Sequence, residues 1–292
     1  MKLAKNNFLD IDSVDFKKAQ VVIVSFGFEA TTTYGKGTKN GPAAIIKASS
    51  QVELFDEELW QETYKKINIF THSEIKPGRL AIAAKKQISA AISKILAEKK
   101  LPITLGGEHS ITPFIIEEYK KHFGNFSILQ FDAHADLRDG YLGQKYSHAA
   151  AMRRCLDSQD INLVQIGVRN ISNENDELNF WQKNQCRVKT FWAKDKKQWK
   201  IEEILKSLKR KVYLTFDVDT FDSSVMPATG TPEPGGLDWY EISNILKAVA
   251  KNKKIIGADF VELAPIKNFF APDFLVAKLI YKTIGYIFKN QN

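Results

Sequence analysis

The stretch FSILQFDAHAD, residues 126–136, decides how the chain is organised. Its first half is an apolar run of branched and aromatic side chains, the composition of a strand buried in a parallel sheet. Asp132, His134 and Asp136 follow at alternate positions. Alternate residues of an extended chain point to the same side, so three potential metal ligands leave the end of one strand together.

Working outward, similar apolar runs occur at Val21 to Gly27, Leu101 to Gly106, Asn162 to Val168, Cys186 to Trp192, Val212 to Asp217 and Ile255 to Glu262. Between them lie helical-period stripes. Leu80, Ala84, Ile88, Ala91, Ile92 and Ile95 share one face, and Ile201, Ile204, Leu205 and Leu208 share another. Strands alternating with helices predict an α/β fold, a three-layer α/β/α sandwich around a mostly parallel central sheet. No Pro/Gly/Ser-rich linker or internal repeat divides the sequence, which predicts one domain over residues 1–292. The glycine-rich segments Gly35 to Gly41 and Gly230 to Gly236 fall at strand ends, where an open α/β sheet builds its ligand crevice.

Hydrophobic residues at 44% and charged residues at 26% exclude disorder, collagen-like repeats and a coiled coil. The net charge of +8 would suit an anionic partner if it were concentrated. Its short clusters, such as Lys196-Lys197 and Lys251 to Lys254, are scattered instead, so no nucleic-acid partner is expected. Cys155 and Cys186 are the only cysteines, which excludes a disulfide framework or cysteine-built zinc site and fits a reducing cytoplasm. The N-terminal MKLAKNNFLDIDS has no signal-peptide core, and no stretch approaches the ~18 apolar residues that span a bilayer. A cytoplasmic protein without a membrane partner is the expectation.

Two further strand ends repeat the device of the first. TFDVD, residues 215–219, supplies Asp217 and Asp219, and GGEHS, residues 106–110, supplies His109. Singly, an aspartate at a strand exit caps a helix or forms a turn, and a loop histidine packs. Jointly, four carboxylates at one sheet edge repel each other unless cations neutralise them. Two divalent ions balance four such charges. The mixed oxygen and imidazole donors, without thiolate, suit manganese, with cobalt, zinc or iron as substitutes.

In this order, GGEHS, FDAHAD and TFDVD resemble the ureohydrolase family of arginases and agmatinases. The resemblance extends to YGKGTKNGPAAIIKAS (34–49), TGTPEPGGL (229–237) and DFVELAP (259–265), and so covers nearly the whole chain. It implies the ureohydrolase fold and two Mn²⁺ ions. His109, Asp132, Asp136 and Asp217 would hold one ion, and His134, Asp132, Asp217 and Asp219 the other, with Asp132 and Asp217 bridging. By the same resemblance, a metal-bridging hydroxide attacks the guanidinium carbon, while Asp136 orients it and helps protonate the departing amine. Glu262 would accept hydrogen bonds from the guanidinium, matching a planar fork with a planar carboxylate. His148, in KYSHAAAMRR, would shuttle protons, its ordinary pKa near 6.5 suiting exchange at working pH. Homotrimers or homohexamers are implied as well.

Arginases follow the DxHxD element with an Asn- and Ser-rich stretch that grips the amino-acid end of the substrate. LRDGYLGQKYSHAAAMRR (137–154) lacks it and resembles the agmatinase branch, which hydrolyses agmatine to putrescine and urea in polyamine biosynthesis. Arginine, guanidinobutyrate, another guanidino acid and formiminoglutamate are the alternatives. MPATGTP (226–232) has an arginase-like character, and Ser223 follows Asp222 where the family usually has proline. Asp139, Glu233 and Glu262 are expected to keep the crevice mouth negative. His72 and His122 match nothing in the family and are expected to pack or lie on the surface.

Overall fold

A computed structural model describes residues 1–289, so the last three residues of the domain expected over 1–292 lie outside the described part. The strands are β1 (Val21–Phe26), β2 (Phe55–Asp56), β3 (Gln61–Glu62), β4 (Ile69–Thr71), β5 (Leu101–Gly106), β6 (Phe126–Phe131), β7 (Ile161–Val168), β8 (Val188–Trp192), β9 (Lys211–Asp217) and β10 (Lys254–Val261). The helices are α1 (Gly41–Ser49), α2 (Ala81–Ala97), α3 (Thr112–Phe123), α4 (Ala151–Cys155), α5 (Glu177–Lys183), α6 (Ile201–Ser207), α7 (Trp239–Asn252) and α8 (Ala271–Lys289). Eight strands make one sheet in the order β4-β1-β5-β10-β9-β6-β7-β8, with every neighbouring pair parallel. β2 and β3 pair separately as an antiparallel hairpin.

Strand side chains alternate between two cores, as a period of two requires. Val21, Ile23, Leu129, Phe131, Leu214 and Phe216 pack with residues of α1, α6, α7 and α8 on one face. Val22, Val24, Ile128, Leu163 and Tyr213 pack with α2, α3 and α4 on the other. This is the expected three-layer arrangement.

All seven expected strands form, and an eighth, β4, joins them at one edge. It is only three residues long, too short for an alternation to show in the sequence. β8 starts at Val188 rather than Cys186, because the chain before it closes the end of α5, with the amides of Arg187 and Val188 both donating to the Asn184 carbonyl. Leu80 leaves the expected stripe: it caps α2 from outside the helix and is 70% exposed, while Ala84, Ile88, Ile92 and Ile95 are buried.

The four central strands, β5, β10, β9 and β6, are neighbours although the chain visits them out of order. Their carboxyl ends therefore bring together residues from His109 to Glu262.

Candidate metal centre

Each predicted donor sits at or just beyond the end of one of these central strands. His109 follows β5, Asp132, His134 and Asp136 follow β6, Asp217 ends β9 with Asp219 two residues on, and Glu262 follows β10. All but His134 are buried, at 8% exposure or less. The Nδ1 of His109 lies 3.1 Å from Asp132 Oδ2, 3.1 Å from Asp136 Oδ2 and 3.5 Å from Asp217 Oδ2. The Nδ1 of His134 lies 2.9 Å from Asp219 Oδ2 and 3.6 Å from Asp132 Oδ1. Among the described residues, two groups have the mutual spacing of a metal's ligands: His109 with Asp132 and Asp217, and Asp132 with His134 and Asp219. Asp132 belongs to both; Asp217 groups with His109, and Asp136 stands against the same imidazole nitrogen.

The backbone aims several of these groups. Asp132 Oδ1 accepts the His134 amide at 2.6 Å, Asp217 Oδ1 the Asp219 amide at 2.9 Å, and Asp219 Oδ1 the Ala133 amide at 2.9 Å. Glu262 Oε1 accepts the amide of His109 at 2.6 Å, tying β10 to the loop after β5. Asp136 and Glu262 hold φ of 53° and 65°, the left-handed region, where a residue with a Cβ costs on the order of 1–3 kcal/mol.

Under the site, one register of the sheet is polar on six consecutive strands. Thr104, Asp259, Thr215, Gln130, Gln165 and Thr190 are neighbours in turn across β5, β10, β9, β6, β7 and β8. The Thr215 hydroxyl donates to Asp259 Oδ1 at 2.6 Å and so is left to accept from His109 Nε2 at 2.8 Å. That places the neutral imidazole's proton on Nε2 and its lone pair on Nδ1, among the three aspartates. From the other side, Gln165 donates to Gln130 at 2.7 Å, and Gln130 donates to Asp132 Oδ2 at 2.7 Å. The sequence reading missed this belt. Its signal was a single polar residue inside each of several apolar runs, which is visible in SILQF and GADFV.

The charge balance shows which kind of group the site fits. Burial, then the charge of Asp132, pushes Asp136 up to about 7. Burial and the neighbouring Asp219 and Asp132 push Asp217 well above the carboxylate range, and burial and Glu108 do the same to Glu262. Burial opposes protonation of His109, yet the aspartates around it hold its pKa well above the usual value. Burial likewise opposes protonation of His134, and Asp219 and Asp132 raise it. The protein on its own relieves the crowded negative charge only by taking up protons. Meanwhile His109 Nδ1 is fully buried with no hydrogen-bond partner of good geometry, although three carboxylate oxygens surround it. One cation shared by that nitrogen and those oxygens satisfies all of them. The donor set therefore fits divalent metal ions, whose binding displaces protons from such groups.

A cleft of about 220 Å³ opens above these donors, lined also by Tyr34, Arg138, Tyr141, His148, Asn170 and Glu233. His148 stands on its wall. Its ring meets Tyr141 edge-on at 6.1 Å, and burial lowers its pKa below the ordinary histidine value. Glu233 Oε1 lies 3.7 Å from His134 Nε2 and accepts from Asn170 at 2.7 Å. Asp139 does not share this mouth: it pairs with Arg154 at 2.7 Å beside a separate depression. His72 and His122 also stay away, His72 against the Ser73 carbonyl and His122 against Phe123.

Residues 19–285 match the arginase family. The chain belongs to the arginase family. An N(1)-aminopropylagmatine ureohydrolase of Synechocystis sp. is 36% identical over 289 residues, 96% of this chain and 93% of that protein. An agmatinase of Pyrococcus horikoshii is 31% identical, covering 95% of each chain. The solved structure of the agmatine ureohydrolase of Thermoplasma volcanium superposes with a TM-score of 0.85 at 27% identity, over 95% of this chain and 93% of that one. The protein is accordingly an agmatinase-like ureohydrolase, a hydrolase of a family that depends on paired metal ions and acts on small guanidino substrates. Among its described residues, no helix is long and apolar enough to cross a membrane.

Proposed function

We propose that this arginase-family enzyme is a manganese amidinohydrolase that cleaves agmatine to putrescine and urea. The single observation that carries the reading is the buried His109 Nδ1 surrounded by Asp132, Asp136 and Asp217, a negative cluster with no permanent counter-charge, only imidazoles that must take up protons. His109, Asp132, Asp136 and Asp217 would hold one ion and His134, Asp132, Asp217 and Asp219 the other. A pair of divalent ions supplies, when bound, the lowered pKa that makes water nucleophilic at neutral pH.

The remaining residues bind and move protons. Glu262 is buried beside Glu108 and held by the His109 amide, so an entering guanidinium both satisfies its free oxygen and relieves its unfavourable charge. His148, kept neutral by burial, accepts and returns a proton at the cleft wall. Asp136 steers the nucleophile and passes a proton to the leaving amine. Residues 1–292 act as one catalytic unit in the cytoplasm, as homotrimers or homohexamers, without nucleic-acid or membrane partners.

A second substrate, N(1)-aminopropylagmatine, is favoured by the name of the Synechocystis relative. It shares the guanidino end and differs only in the tail. Urea release from manganese-loaded protein on agmatine, N(1)-aminopropylagmatine, arginine and guanidinobutyrate, with formamide release from formiminoglutamate, separates the readings. We expect chelation to abolish turnover and Mn²⁺ to restore it. Asp132→Ala should lower kcat at least about a thousandfold, the several kcal/mol that a metal supplies to the transition state. Wild-type turnover in Asp132→Ala or in fully chelated protein would refute the assignment.

A further inference from the structure

The loop after β1 reaches across the sheet to the cleft wall, and one buried carboxylate holds it there. Glu108 is completely buried and sits between β5 and His109. Its Oε2 accepts the amides of Ala30 at 2.9 Å and Thr31 at 2.7 Å. Its Oε1 accepts the hydroxyls of Thr31, at 3.0 Å, and Ser110. Four donors converge on it, so Glu108 acts only as an acceptor.

That fixes the hydrogen at Thr31. A hydroxyl has one proton and two lone pairs. The proton goes to Glu108, one lone pair accepts the His148 amide at 3.1 Å, and the other faces His148 Nδ1 at 3.1 Å. Having no proton left to give, Thr31 Oγ1 tolerates only a protonated Nδ1 opposite it. We propose that Thr31, backed by Glu108, is a positioning residue that holds neutral His148 with its proton on Nδ1, leaving Nε2 free to take up a proton in the cleft. The inference rests on the reading of His148 as the proton carrier, and extends it to residues from two other segments of the chain. Tyr141 packs edge-on to the same ring, so the imidazole is held from a second side.

A purely structural Thr31 would pin the loop without choosing a tautomer, and neutron diffraction tells the two apart. In crystals of the manganese-loaded protein at mildly alkaline pH, the deuteron of His148 should lie on Nδ1; a deuteron on Nε2 alone would overturn the proposal. Thr31→Val keeps the shape and removes the hydroxyl. We expect its kcat to fall about tenfold, the value of one ordinary hydrogen bond, with KM unchanged and Thr31→Ser restoring the rate. A wild-type kcat in Thr31→Val would also overturn the proposal. Should that variant not fold, the neutron map of the wild type still decides. His148→Asn tests the underlying reading separately: full activity there removes the proton carrier itself, whatever the tautomer.

Discussion

Asp56, Glu57 and Glu58 converge on Lys282 Nζ much as Asp132, Asp136 and Asp217 converge on His109 Nδ1. At the first cluster, the ammonium lies 3.1 Å from Asp56, 3.5 Å from Glu57 and 3.1 Å from Glu58, and only 3% of its side chain is exposed. Lys247 and Tyr286 also donate to Glu58, at 2.6 and 2.5 Å. Burial would raise the Glu58 carboxyl, but these donors outweigh it and hold it down at about 2. At the second cluster burial prevails and Asp136 rises to about 7. Both are crowds of acid in a folded chain. One carries a permanent cation from α8 and so clamps the β2–β3 hairpin to that helix; the other has only imidazoles, whose charge depends on borrowed protons. The comparison teaches that the second cluster is shaped for positive charge from outside.

The harshest way to break the comparison is to remove the internal cation. Lys282→Met should destabilise the protein by about 3–5 kcal/mol in urea unfolding, because Asp56 stays buried with only the amides of Glu58 and Leu59 and no cation beside it. The metal-saturated folded fraction should release urea at the wild-type rate. A loss below about 1 kcal/mol would mean that the lysine is not what sets the clusters apart.

The converse change at the other cluster should stabilise the metal-free protein. A carboxyl whose folded pKa is raised contributes stability below its unfolded pKa of 3.8 and loses it as pH climbs toward the folded value. Metal-free wild type should therefore weaken from about pH 4 upward. Asp217→Asn should flatten that slope and gain on the order of 1–2 kcal/mol near neutrality. Thermal unfolding with and without Mn²⁺ checks this, since the metal should reverse the ranking. Parallel pH profiles for the two metal-free proteins would contradict the account.

The smallest effect belongs to Glu58→Gln. The folded pKa of Glu58 is depressed, so its contribution is present above the unfolded value of 4.5 and disappears as pH falls toward about 2. The variant should be weaker by no more than about 1 kcal/mol at neutral pH, since the group is partly exposed, and equal to wild type in strong acid. Acid titration of unfolding free energy measures the convergence.

The metal donors were legible because their signal is local: alternate residues at a strand end need no knowledge of the partner strand. His109, Asp132 and Asp217 arrive at one place through sheet order, yet each announced itself by chemistry at a strand exit. Strand positions were legible to within about two residues for the same reason, as apolar runs in a parallel sheet are hard to mistake. Thr31 and Glu108 were not legible. Their bond spans 77 residues and exists only because β1 and β5 are neighbours in register. The belt through Gln130, Thr215 and Asp259 lay between these cases, since each residue was an anomaly in its own run but their connection needed the pairing of β6, β9 and β10.

Asp136 and Glu262 stand where the main chain turns left-handed. The direction in which each Cα–Cβ bond leaves the main chain is thus set by the path of the polypeptide. Copying the donors onto ordinary strand ends of another scaffold would reproduce the composition and lose the aim. Glycine at either place would ease the bend and erase the group that the bend presents, so here comfort of the chain and usefulness of the residue cannot be had together.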